Sequence, residues 1–195
     1  MFIKKNHVRL IEPIPMELFN STKNEVDAID WDLSLIQSDF RKLDPVFSTS
    51  ITRHLRTHKL EVDTPRTREA VSDIVECKDS MLRHMYPNIN KMVEWCYSAV
   101  AGTALGRIMV VKLLPGGRVM PHIDIGMYFQ SHHRFHVPIT TNSGVVFTGP
   151  INTIPIHMPK GVLCQLMNLQ LHGVENNSND YRTHIIIDIN TNKFD

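Results

Sequence analysis

The stretch RIMVVKLLPGGRVMPHIDI, residues 107–125, decides how the rest of the chain is read. Two apolar, partly β-branched runs, RIMVVKLL and RVMPHIDI, flank Pro115-Gly116-Gly117. That pattern predicts two short strands joined by a tight turn. The same punctuation continues toward the C-terminus. A loop through GMYFQSHH leads to RFHVPITT, which ends at Asn142-Ser143-Gly144. VVFTG, TIPIHM, GVLCQLMN, LHGVEN and RTHIIIDIN follow, each bounded by turn residues. The reading is a run of about eight short strands.

Upstream of Gly106 the periodicity is different. DAIDWDLSLIQSDFRKL (27–43) sets Ile29, Leu33, Ile36, Phe40 and Leu43 at helical intervals before Pro45. VFSTSITRHLRTHKLEV (46–62) is rich in Thr, Val and Ile and reads as one or two strands. TPRTREAVSDIVECKDSML (64–82) opens with the Thr-Pro of a helix start. After a break at YPNIN, KMVEWCYSAVAG reads as a second helix ending at Gly102. Helices first and strands afterwards predict an α+β fold: a jelly-roll core with N-terminal helices packed on it. No linker, repeat or low-complexity tract divides the 195 residues. One domain is expected, with 1–104 as a mostly helical support and substrate region and 105–190 as the core.

Composition narrows the class. Hydrophobic residues are 42%, charged residues 21%, and the net charge is +1, so nothing global points to nucleic acid or an anionic membrane. Cys77, Cys96 and Cys164 are odd in number and far apart, which argues against a disulfide framework or a paired-thiolate zinc site. The basic N-terminus has its apolar residues broken by Asn, His, Arg, Glu and Pro, unlike a signal peptide. A soluble, cytoplasmic protein is the expectation. Histidine is abundant, with 11 in the chain, and His122, His132, His133 and His136 fall close together.

In a strand, residues two apart share a face, so His122 and Asp124 present an imidazole and a carboxylate side by side. A satisfied polar spot at a strand end would also account for this pair. A metal needs a third ligand from another strand, and His172, at the start of LHGVEN, is the best placed. Two imidazoles and a carboxylate on one face leave coordination positions open, the pattern of non-haem Fe(II) oxygenases. Arg182 lies ten residues later and opens the otherwise apolar RTHIIIDI. Arginine is rarely buried unpaired, and a bound carboxylate would explain it. A salt bridge to Asp180 or Glu175 is the plainer alternative. In RFHVPI, Arg134, His136 and Pro138 share one face, and Phe135, Val137 and Ile139 the other. The first suits a site for acidic ligands, or else a solvated strand face. Asn168 and Asn176 flank His172 and fit either ligand orientation or ordinary turns. His132 and His133 read as a solvated loop. His184 shares the face of Arg182. His54 and His58 lie in a basic segment that is either exposed or at the rim of a pocket.

Taken together, PHID, RFHVPI, LHGVEN and RTHIIIDI resemble the Fe(II)/2-oxoglutarate-dependent dioxygenases, and within them the aspartyl/asparaginyl β-hydroxylase-like branch. The resemblance covers residues 105–190 and implies a double-stranded β-helix of cupin type. It implies that His122, Asp124 and His172 bind iron and that Arg182 binds the distal carboxylate of 2-oxoglutarate. It also places Arg134 and His136 along the cosubstrate and substrate pocket. Some members of the branch lack the carboxylate ligand, whereas this chain keeps Asp124. The implied reaction uses Fe(II), 2-oxoglutarate and O2 to hydroxylate an unactivated C–H of an amino-acid side chain, releasing succinate and CO2. The substrate would be a peptide, or a free amino acid such as proline, and Arg134 would favour one carrying a carboxylate. Three other classes share parts of the pattern. A cupin-type metal protein without 2-oxoglutarate would not need Arg182. A non-catalytic binding module on the same fold would retain the triad by descent. A nucleic-acid demethylase would show a more basic surface than +1 and more than 7% aromatic residues.

Overall fold

The computed structural model describes residues 7–29, 31, 54–63, 84–150 and 155–194. Strand β8 (Arg182–Asn190) shows how the sequence makes the sheet. Ile185, Ile187 and Ile189 are fully buried in one apolar cluster, while His184, Ile186 and Asp188 occupy the opposite face. β4 (His133–Thr140) repeats the division. Phe135, Val137 and Ile139 join the same cluster, and Arg134 and His136 lie on the other side. Each such fully buried large side chain contributes about 1.5–3 kcal/mol of burial free energy.

The remaining strands are β1 (Val8–Pro13), β2 (His54–Asp63), β3 (Ala104–His122), β5 (Val145–Thr148), β6 (Val162–Leu166) and β7 (His172–Asn176). Their order is β1-β6-β4-β8-β3-β7-β5, with β2 also paired to β3, and every pairing is antiparallel. β3 belongs to both halves of this sheet. Its first part, from Ala104 to Leu113, pairs with β8, and its last part, from Arg118 to His122, pairs with β7. The sheet therefore curls over itself, and a second apolar cluster fills the space between the layers: Leu113, Val145, Phe147, Met158, Cys164, Leu166 and Val174 with Val8. This is a double-stranded β-helix core, as expected.

The expected turn at Pro115-Gly116-Gly117 is not a strand end. β2 pairs Leu55 with Arg118 and Thr57 with Leu113, so residues 114–117 are looped out of a continuous strand, with Gly116 at φ 67°. A partner strand bridging both sides keeps the ladder whole, and the glycine absorbs the bend. TIPIHM also differs from its reading as a strand. Its described part contributes only an isolated bridge, Ile156 to Phe147. Three elements arise where none was read: β1, the helix Met16–Asp27, and α3 (Met127–Ser131), which replaces the loop expected before RFHVPITT.

Helices α1 (Met16–Asp27) and α2 (Pro87–Ala99) cover the outer face of the β8–β4 half. α1 buries Phe19, Thr22 and Val26, and α2 buries Ile89, Met92, Val93 and Cys96, both at helical spacing. The Glu25 carboxylate accepts the backbone N–H groups of Asn88 and Ile89 (3.2 and 2.7 Å), capping α2 from the neighbouring helix. Part of the expected break at YPNIN thus lies inside α2, because Pro87 takes the first helical position, where no N–H is needed. The left-handed residue at the end of α2 is Ala101 rather than Gly102. Gly102 instead allows close packing: a Cβ there would stand 2.5 Å from the Tyr97 ring. Of the helix read at 27–43, Asp27 instead ends α1, and residues 32–43 fall outside the described residues, as do the helix read at 64–82 and the strand before His54. No described helix is long and apolar enough to cross a membrane.

Candidate functional site

The end of β3, the start of β7 and the loop after His122 meet at one mouth of the curled sheet. His122 and His172 are register partners across β3 and β7, with ring centroids 4.3 Å apart. Asp124 follows in irregular chain, tied down by its backbone N–H to the carbonyl of Asn168 at 3.1 Å. The ligand atoms of His122, Asp124 and His172 lie within 4.8 Å of one another, a separation that suits a single metal ion. Both imidazoles are oriented in the same way. His122 Nδ1 lies 2.8 Å from the carbonyl of Met120, and His172 Nδ1 lies 2.8 Å from that of Gln170. A carbonyl only accepts, so Nδ1 carries the proton in each ring and Nε2 keeps its lone pair for a metal. His122 Nε2 is 3.6 Å from Asp124 Oδ1.

The electrostatics also favour a metal. Burial pushes the Asp124 carboxyl up, but Arg134 and the two imidazoles outweigh it and hold it well below the usual carboxylate range. Burial lowers His172 to about 4, so its imidazole is neutral at physiological pH. Two imidazoles and one carboxylate are the donor set that Fe(II) and similar ions accept.

Arg182 sits deeper, paired in register with Leu113 at the looped-out bend of β3. It is 2% exposed. Its guanidinium lies 5.3 Å from the Phe147 ring centre, and its Nη2 donates to His184 Nδ1 at 2.6 Å. The buried Nε has no partner, and no carboxylate reaches ion-pair distance among the described residues. The alternative of a bridge to Asp180 or Glu175 is absent. Burial without a counter-charge pushes this guanidinium down to about 9. His136 and His184 stand beside it, with their Nδ1 atoms 3.2 Å apart and both Nε2 atoms buried and unpaired. Burial, reinforced by the charge of Arg182, drives both imidazoles well below their usual range. Met109, Val111 and Ile186 form a small apolar cluster on this same inner side of the sheet. A buried cation, orphaned polar atoms and an apolar wall together fit a small diacid with one carboxylate at Arg182.

Arg134 is differently placed. It faces Asp188 across β4 and β8 and grips it bidentately, Nε to Oδ1 at 2.8 Å and Nη2 to Oδ2 at 3.0 Å. Its Nη1 donates to Asp124 Oδ2 at 2.6 Å. The guanidinium is therefore held by two carboxylates of the protein itself, and its face is not the solvated one. His132 is also buried rather than in a solvated loop, stacked on Tyr128 at 4.4 Å. Tyr128 donates its hydroxyl to Asp188 Oδ2 at 3.2 Å and accepts the backbone N–H of Arg107 at 2.7 Å. Tyr128 and Asp188 were not singled out by sequence reading. Their partners lie on non-adjacent stretches of chain, and only the period-two face of RTHIIIDI pointed toward Asp188. Asn176 builds a turn, donating to the carbonyls of Leu113, Leu114 and Asp180. The side chains of His54 and His58 fall outside what is described.

Residues 51–192 match the family model described as Aspartyl/Asparaginyl beta-hydroxylase. No curated protein matches the sequence. Among solved structures, a prolyl hydroxylase from Trichoplax adhaerens, in complex with a hypoxia inducible factor oxygen degradation domain peptide fragment, superposes with a TM-score of 0.62. The identity is 14%, over 98% of this chain and 86% of that one. An oxidoreductase of the 2OG-Fe(II) oxygenase family from Burkholderia pseudomallei gives 0.53 at 12% identity, over 69% and 67% of the two chains. At such identities the likeness shows the shared fold.

Proposed function

Because this chain belongs to the aspartyl/asparaginyl β-hydroxylase family, and so to the 2-oxoglutarate-dependent dioxygenases, we propose that it hydroxylates an unactivated C–H of an amino-acid side chain. In this reading His122 Nε2, His172 Nε2 and an oxygen of Asp124 hold Fe(II). Arg182 holds the distal carboxylate of 2-oxoglutarate, and His136 lines the pocket beside it. The iron, when bound, supplies the activation of O2 coupled to oxidation of 2-oxoglutarate to succinate and CO2. The residues of the chain supply position and exclusion of water. The Nδ1–H bonds to Met120 and Gln170 hold the two rings with lone pairs converging. Arg182 sets the reach and orientation of the cosubstrate by a charge-assisted pair at the far end. Met109, Val111 and Ile186 keep the intervening wall dry.

The observation that carries this reading is Arg182, a buried cation with no carboxylate at ion-pair distance among the described residues, in the same inner space as a His-Asp-His cluster. A peptide substrate is the favoured one, since a relative of the same fold was solved with a peptide bound. The residues 1–104 form the region expected to choose it, within a single domain.

Anaerobic titration tests the proposal without knowledge of the substrate. Metal-free protein is mixed with Fe(II), 2-oxoglutarate is added, and the visible metal-to-ligand charge-transfer band is recorded. The band is expected in the wild type, absent in His122→Ala and weakened in Arg182→Ala. Iron binding with no band on addition of 2-oxoglutarate would overturn the cosubstrate assignment and favour a cupin-type metal protein.

A further inference from the structure

Asp124 differs from the two histidines in its support. Each imidazole is fixed by a carbonyl two residues before it in the chain. Asp124 lies beyond the end of β3, in chain without regular structure, where a short side chain would otherwise sample several rotamers. What fixes it comes from the other half of the sheet. Arg134 Nη1 binds Oδ2, leaving Oδ1 as the oxygen that faces His122 Nε2. The guanidinium is planar, so the bidentate grip of Asp188 on its Nε/Nη2 edge dictates where Nη1 points. Asp188 is in turn held by its central strand and by the Tyr128 hydroxyl. Gly106 permits that contact, since a Cβ there would lie 2.4 Å from the Tyr128 oxygen.

From this geometry we infer that Asp188 and Arg134 are positioning residues for the carboxylate arm of the metal site, with Tyr128 as their outer support. Asp124 is thereby presented through one oxygen, Oδ1, with its other oxygen and part of its charge neutralised by Arg134. Arg134 is not the receptor for a substrate carboxylate. This rests on the reading of His122, Asp124 and His172 as a metal site.

The test uses Co(II) alone, without 2-oxoglutarate or substrate, and reads both affinity by chelator competition and the d–d absorption spectrum. Asp188→Asn and Arg134→Gln are expected to weaken Co(II) binding by about tenfold to a hundredfold and to alter the spectrum. Tyr128→Phe, which deletes only a hydroxyl, should give a smaller loss in the same direction and serves if a charge variant fails to fold. In an Asp124→Ala background, Arg134→Gln should cost no further Co(II) affinity, because the arm it positions is gone. A merely structural pair would give additive losses and an unchanged spectrum, and that result would overturn the inference. Failure of the wild-type protein to bind Co(II) would instead overturn the metal-site reading on which it rests.

Discussion

Two buried arginines stand on the inner side of the same sheet and live in opposite surroundings. Arg134 touches two carboxylates, which outweigh its burial and raise its proton affinity above that of free arginine. Arg182 has an imidazole, an aromatic face and, among the described residues, no anion, and burial lowers it to about 9. The first is part of the built structure. The second is costly until something negative arrives, which is what a binding residue looks like before its ligand. Exposure does not separate the two, since both are buried; the charges around each one do.

Removing each cation should therefore have opposite effects on the ligand-free protein. Arg134→Met leaves Asp188 buried without a counter-ion and should lower stability to urea by about 3–5 kcal/mol. Arg182→Met removes an uncompensated charge and should raise stability by about 1–3 kcal/mol. Equal destabilisation by both would break the contrast. The binding readout should reverse it: Arg182→Gln should weaken 2-oxoglutarate by about a hundredfold or more, a loss of about 3 kcal/mol, with metal affinity retained. Calorimetry on the metal-loaded protein under anaerobic conditions measures this. Gly106→Ala should cost about 1–3 kcal/mol by forcing Tyr128 away from Asp188. Because it acts on the Arg134 side only, 2-oxoglutarate affinity should stay near the wild-type value.

The smallest test is in pH. His136 and His184 are neutral when folded, because burial, then the charge of Arg182, lowers them well below the value of the unfolded chain. Below the unfolded value of about 6.5 the unfolded state takes up protons that the folded state refuses, so their stabilising neutrality is present above that pH and lost as pH falls. Between pH 7.5 and 5.5 each should remove about 1.4 kcal/mol from the unfolding free energy. His184→Phe should flatten that slope by one proton, and an unchanged slope would argue that its imidazole is charged in the fold.

The sequence disclosed the elements whose chemistry is local. Period-two alternation in RFHVPI and RTHIIIDI made both faces of β4 and β8 visible, and His122 and Asp124 declared themselves two residues apart. The structure then brings these two together with His172. Less was legible where neighbours are distant in the chain. Pro115-Gly116-Gly117 has the composition of a turn, and only β2, pairing on both sides of it, keeps β3 continuous. α1 has too few apolar positions to stand out, and its burial depends on α2 and the sheet. The grip of Asp188 on Arg134 joins residues 54 apart and follows from strand register, which residue spacing does not encode.

The continuity of β3 has a metrical consequence. One strand carries Leu113, opposite Arg182, and His122, opposite His172, so both ends of the pocket are fixed along a single piece of backbone. The looped-out residues 114–117 act as a gauge block between them. Removing one residue there either closes up the gauge or turns His122 to the other face, since side chains alternate along a strand. On the proposed reading, the length of diacid admitted between Arg182 and the His-Asp-His cluster would be reset at that point.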